Sequence, residues 1–294
     1  MSADGPLAEI AVAATVAIVV GALLTAPLHP AIVNVVVLVS IGTAMVLYSL
    51  IVGISVSELP AFLWNIVFTS DSSRTYLLLF WSANVLASIC FGFYVTMQSK
   101  SSTRHRKFFH LTVSLIFVSG LFFDRDFIWL SGWLMLCIFV ILETLRFFEV
   151  PPWKDPLNSF LLVFKDEQDF AVILTPIYLL LGIFLPLFLS PNDEPHLYHL
   201  AGVAAVGVGD SVAAIYGSLF GATRWPRGKK TVEGSAAMAA SIVVFLVAAR
   251  PFCVAPAPSY LVIIFTALIL AAIEAFIVRI DNIALPIVGY LLLQ

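Results

Sequence analysis

The chain has 294 residues, of which 61% are hydrophobic and 11% charged, with a formal net charge of -3 and a mean hydropathy of +1.04. A soluble domain carries about 25% charged residues, so a water-soluble globule is excluded, because this much apolar side chain cannot be hidden in a fold of this size. Cys90, Cys137 and Cys253 lie in or beside apolar runs and show neither metal-ligand spacing nor a disulfide pattern. No basic, aromatic-interleaved surface for nucleic acid is present.

In chain order, residues 1–6 lack a basic region and a small-residue cleavage site, so the first apolar run is expected to be a retained span. A spanning helix needs about 20 apolar residues. Runs that approach this length occur at 7–27, 31–57, 76–98, 108–123, 127–142, 169–190, 198–221, 236–254 and 257–278, with a shorter one at 283–294. The runs 108–123 and 127–142 are short for two independent spans and fit either two thin helices or one hairpin that stops inside the membrane. The stretch 59–70, with Pro60 and Trp64, reads as interfacial. The expected fold is an all-α, polytopic transmembrane bundle of nine or ten segments.

The cations set the expected orientation. If 99–107 faces the cytoplasm, alternation puts 143–168, 222–235 and 279–282 on the same side, and these four regions hold 12 of the 15 Lys and Arg. Arg74, Arg125 and Arg250 fall on the other side, an asymmetry that follows the positive-inside rule.

The chemistry concentrates toward the C-terminal end. Asp210 sits inside an apolar run of 24 residues, where a carboxylate costs about 2.5–3.5 kcal/mol on insertion scales. It should therefore face a wet cavity, a cation or a metal, the plainer alternative being an Asp at a broken helix beside Gly207 and Gly209. Gly217 and Gly221 follow, allowing close helix contact or the approach of backbone to a ligand.

Next come Arg224, Trp225, Arg227, Gly228, Lys229, Lys230, Thr231, Glu233, Gly234 and Ser235. Four cations in seven residues, bent by Pro226 and Gly228, suit the charge of a triphosphate. The hydroxyls of Thr231 and Ser235 add donors, and Glu233 offers a carboxylate for a metal or an incoming hydroxyl. A simple anchoring loop needs the cations but not the Thr-Val-Glu-Gly-Ser that follows. The order is not that of a Walker A loop.

Glu274 and Asp281-Asn282 form a second acidic set. On a continuous helix seven residues make about two turns, so Glu274 and Asp281 are expected on one face, and with Asp210 they are candidate ligands for Mg²⁺ or Ca²⁺. A salt bridge of Asp281 to Arg279 is the alternative. Arg104-His-Arg-Lys107-Phe-Phe-His110 is a basic interfacial cluster, in which His110 is a candidate base or phosphate ligand and otherwise a solvated histidine.

The run Gly209-Asp-Ser-Val-Ala-Ala-Ile-Tyr-Gly217, followed by Arg224-Trp-Pro-Arg-Gly-Lys-Lys-Thr-Val-Glu-Gly-Ser235, resembles the nucleotide-binding region of dolichol kinases. So do Arg106-Lys107-Phe-Phe-His110, Leu142-Glu-Thr-Leu-Arg146, Leu161–Glu167, Leu174–Gly182, and Glu274 with Ile280-Asp-Asn282 and Leu285-Pro286. These motifs span about 100–294. The N-terminal segments 1–100 are then expected to be shortened or divergent, and 101–294 to form the catalytic membrane domain.

The resemblance implies CTP as phosphoryl donor, a divalent cation, dolichol or another polyprenol as acceptor, and the endoplasmic reticulum membrane with the CTP-binding loop cytoplasmic. The implied product, dolichyl phosphate, is the lipid carrier for protein glycosylation. The wider group it looks like includes CTP-dependent diacylglycerol and phytol kinases and, more distantly, phosphatidate cytidylyltransferases. A transporter is the non-enzyme alternative, since intramembrane carboxylates also mark ion pathways.

Overall fold

The structure, a computed structural model, describes residues 4–68, 72–97, 103–161, 164, 169, 171–191, 194–226, 230–277 and 280–294. Arg227, Gly228, Lys229 and Arg279 lie outside the described residues. Helices dominate: α1 Asp4–Thr25, α2 Ile32–Val52, α3 Leu59–Phe68, α4 Ser72–Met97, α5 Thr103–Phe123, α6 Arg125–Phe147, α7 Lys154–Leu161, α8 Thr175–Leu189, α9 Ser211–Phe220, α10 Val232–Ala249, α11 Tyr260–Phe276 and α12 Asp281–Leu293. Among the described residues there is no strand, only an isolated bridge between Arg224 and Thr231. The all-α expectation holds.

Six helical stretches among the described residues are long and apolar enough to cross a membrane, and five further apolar helices have 10–17 residues. Length alone therefore identifies six spans where the sequence suggests nine or ten. Of the ambiguous pair, α6 extends to 23 residues and is long enough to cross. The stretch read as interfacial forms α3, a helix of 10 residues, too short to span. In the α2 span only 11% of the residues are buried, and Leu38 and Leu50 are 71% and 72% exposed. Such a helix needs hydrocarbon around it.

The chain divides into two compact units, one of 1–79 with 126–177, the other of 80–125 with 178–294. In the first, α1 and α2 pack so closely that a Cβ on Gly21 would strike the Val36 side chain. Ala22, Ala26, Val33, Leu145, Val150 and Leu157 form its core. Asn34 links α2 to the loop after α6, donating to Pro151 O at 2.7 Å and accepting from the Trp153 indole at 3.1 Å.

Buried Glu143 takes two hydrogen bonds from the Arg146 guanidinium, at 2.7 and 2.6 Å, and one from Ile173 N at 2.7 Å. Asp169 accepts from Leu174 N at 2.9 Å and from the Thr175 hydroxyl at 2.6 Å, capping the start of α8. This charge in an apolar unit is paired and hydrogen-bonded, the condition under which burial is tolerated.

The second unit is built around 197–220, one helical stretch of 24 residues where the sequence shows an apolar run, but not α-helical throughout. A 3₁₀ turn, Leu197–Leu200, leads into a π-helix, Val203–Asp210, before α9 begins. Val203 to Val206 are at most 1% exposed. A Cβ on Gly207 would hit the Ser114 hydroxyl of α5, and one on Gly209 would lie 2.8 Å from the Ile242 side chain of α10. These glycines let α5 and α10 press against the wide turn. π-Helical turns are rare and recur at functional sites.

Candidate functional site

Asp210 closes the π-helical segment. Because the segment is packed from both sides, its carboxylate is only 14% exposed and requires a partner. Lys107, on the first turns of α5, donates to it. One turn further along α5, buried His110 lies 3.8 Å from the same carboxylate oxygen and 3.4 Å from Val206 O. The sequence expectation that Asp210 faces a cation is met, and the cation is a lysine.

A second charged group gathers around Lys230. Its ammonium lies 2.6 Å from Glu274 Oε1 and 3.9 Å from Asp281 Oδ2, and donates to Glu274 O at 2.6 Å and Ile277 O at 3.1 Å. Lys230 thus ties off the free carbonyls at the end of α11 and neutralises a buried carboxylate at once. Glu274 and Asp281 do not share a helix face, contrary to the sequence expectation. The chain leaves α11 after Phe276, Ile280 adopts a left-handed φ of 56°, and Asp281 opens α12. The two acids meet because one lysine reaches both across this break. Asn282 N donates to Asp281 Oδ1 at 3.0 Å.

The loop between α9 and α10 folds back on itself. Trp225 N donates to Lys230 O at 3.0 Å and Val232 N to Thr223 O at 2.9 Å. The Trp225 indole donates to Ser235 Oγ at 3.0 Å, so Ser235 is a buried anchor for the tryptophan. Thr231 caps α10 by accepting from Gly234 N at 3.2 Å. Both Glu233 oxygens accept from Thr223 N, at 3.0 and 3.2 Å, so this carboxylate closes the loop in the described arrangement.

Gly217, Gly221 and Gly234 line the contact of α9 with α10: a Cβ on Gly217 would sit 2.8 Å from Thr231 Oγ1, and one on Gly234 3.0 Å from Ala213 O. Their first duty is close helix approach. Arg224 is exposed on the loop. Gly228 and Lys229, expected to hold nucleotide, lie outside the described residues.

Sequence reading missed Lys107 as the partner of Asp210, taking it as part of a basic interfacial cluster. Its signal was its spacing from His110, three residues along a helix and hence on the same face.

Among the described residues no three of His, Cys, Asp and Glu form a group that would hold a metal ion as they stand. Asp210, Glu274 and Asp281 are therefore not a preformed cage. They remain hard oxygen donors of the kind that Mg²⁺ takes in ones and twos together with substrate phosphates.

Comparison with known proteins places this chain in a family. The dolichol kinase family model matches residues 31–177. The chain belongs to the dolichol kinase family. It is 37% identical over 253 residues to the dolichol kinase of Homo sapiens, covering 79% of this chain and 47% of that protein. Dolichol kinase EVAN of Arabidopsis thaliana is 31% identical over 244 residues, 79% of this chain and 42% of that one. The dolichol kinase of Saccharomyces cerevisiae is 30% identical over 192 residues, 64% of this chain and 36% of that protein. The chain spans about half the length, or less, of the curated relatives it matches. No solved structure matches it. The family match begins well before residue 100 and ends at 177, before the Gly209–Ser235 run.

Proposed function

We propose that this family member transfers the γ-phosphoryl group of CTP to the hydroxyl of dolichol or a closely related polyprenol, in the endoplasmic reticulum membrane with the loop before α10 on the cytoplasmic face. The observation that carries the reading is the pair of lysine–carboxylate clusters, Lys107 with Asp210 and Lys230 with Glu274 and Asp281, in a chain of the dolichol kinase family. Support for the orientation is the excess of Lys and Arg in that loop and the regions alternating with it.

Phosphoryl transfer asks little covalent chemistry of a protein and much positioning and charge neutralisation. Each lysine, paired with a carboxylate at rest, would turn its ammonium to phosphate oxygens when nucleotide enters. Arg224 and Lys229 would add positive charge from the loop, with Trp225 fixing its shape through Ser235. A divalent cation held by Asp210 with Glu274 or Asp281 would neutralise phosphate charge in the transition state. The lipid hydroxyl attacks the γ-phosphorus from the bilayer side, forming its oxygen–phosphorus bond as the bond to the β-bridging oxygen breaks. The hydroxyl proton goes to a nearby acceptor, for which Glu233 and His110 are candidates, and CDP leaves.

The test is incubation of purified protein with γ-labelled CTP or ATP and a panel of dolichol, diacylglycerol and phytol. Label on dolichol from CTP, with CDP released, is expected. Label on another alcohol reassigns the acceptor, and pyrophosphate release instead of CDP replaces the kinase with a cytidylyltransferase.

A further inference from the structure

The ammonium of Lys230 stands among four oxygen atoms. Glu274 Oε1 and Glu274 O lie 2.6 Å away, Ile277 O 3.1 Å and Asp281 Oδ2 3.9 Å. Two belong to carboxylates. The other two are backbone carbonyls at the C-terminal end of α11, where the helix dipole adds negative character. Carboxylates together with backbone carbonyls are the ligand types that a hard divalent cation such as Ca²⁺ takes. The two nearest oxygens stand at the outer edge of its range of about 2.3–2.6 Å.

Charge governs when this cage can change its occupant. Lys230 brings one positive charge against the two negative charges of Glu274 and Asp281. A divalent cation arriving alone has to push the ammonium out of the cage and leave it close by. Two cations then face each other at short range in a partly buried site, where their repulsion is poorly screened. Nucleotide phosphates remove that obstacle, because they draw the ammonium outward and neutralise the charge that the cation brings. The lysine has a way out, its side chain being 30% exposed against 6% for Glu274.

We propose that Lys230, in the nucleotide-free protein, occupies the Glu274–Asp281 side of the divalent-cation site as a stand-in for the metal. Glu274, Asp281 and the carbonyls of Glu274 and Ile277 take up the cation only as nucleotide phosphates withdraw the ammonium. This rests on the phosphoryl-transfer reading above. By linkage, nucleotide tightens cation binding by the same factor as the cation tightens nucleotide binding.

The test measures retention of Mn²⁺ and of labelled CDP by the chelator-treated full chain in equilibrium dialysis. CDP serves because it has no γ-phosphoryl group to lose. Wild-type protein is expected to bind Mn²⁺ about a hundredfold more tightly with CDP than without. Lys230→Met is expected to retain Mn²⁺ without CDP, and Mn²⁺ should raise its thermal unfolding midpoint while leaving that of the wild type in place. Adding Glu274→Gln to Lys230→Met should abolish both effects. Wild-type protein that takes up Mn²⁺ alone as tightly as Lys230→Met overturns the proposal. A Lys230→Met protein that neither retains Mn²⁺ nor gains stability from it does the same. Should Lys230→Met fail to fold, the wild type decides: CDP retained with Mn²⁺ affinity unchanged overturns the proposal and leaves the kinase reading standing. Mn²⁺ uptake by Lys230→Met, with no CDP retained by the wild type, keeps Lys230 as the stand-in and overturns the nucleotide reading instead.

Discussion

Replacing Lys230 by methionine separates a strut from a phosphate ligand. The ammonium makes a 2.6 Å ion pair with Glu274, whose side chain is 6% exposed, and hydrogen bonds to two carbonyls at the end of α11. Removing one partner of a buried pair costs about 3–5 kcal/mol, because the other charge is left without compensation. Lys230→Met alone should therefore lower the thermal unfolding midpoint of the purified protein markedly. Replacing both partners, Lys230→Met with Glu274→Gln, removes the stranded charge and should recover most of that loss. Turnover should not recover with it. A donor aimed at developing phosphate charge contributes about a hundredfold to a thousandfold in rate, about 3–4 kcal/mol at 1.36 kcal/mol per tenfold. Unfolding midpoint and labelled-product formation, read on the same preparations, check both halves. A double variant with recovered stability and near-normal turnover would refute the phosphate role and make Lys230 a helix tie alone.

Asp210→Asn should cut turnover by at least about a hundredfold while the protein is still made and inserted, read as activity per amount of purified protein. Thr231→Ala removes the cap of α10 and should cost about 1 kcal/mol of stability, with a smaller loss of turnover than at Lys230, read by thermal unfolding and rate. Arg146→Met strands the buried Glu143 carboxylate in the first unit and should destabilise by about 3–5 kcal/mol, with Arg146→Met plus Glu143→Gln recovering most of it. In a background without the three native cysteines, Thr223→Cys should react with a membrane-impermeant thiol reagent added from the cytoplasmic side. Reaction only from the lumen would invert the topology.

Composition and local pattern sufficed for the solvent of this protein and for the candidate residues of its site. The apolar runs, the cation-bearing loops and Asp210 inside an apolar run are properties of short stretches, and each can be read without knowing what packs beside it. Motif order in the sequence likewise pointed to the family.

Partners were decided only by the fold. Lys107 and Asp210 are 103 residues apart, and nothing in either neighbourhood says that α5 will lie against the π-helical turn. The same holds for Glu274 and Asp281. A helical wheel put them on one face, but α11 ends at Phe276, Asp281 opens α12, and Lys230 joins them from another segment. Gly217, which the sequence allows as helix contact or as room for a ligand, lies against α10 as Gly234 lies against α9, and Glu233 is engaged by a backbone amide. The physical reason is common to all of these. The cost of burying a charge or leaving out a side chain is local and visible in the sequence, whereas the group that offsets the cost belongs to whichever helix the tertiary packing brings alongside.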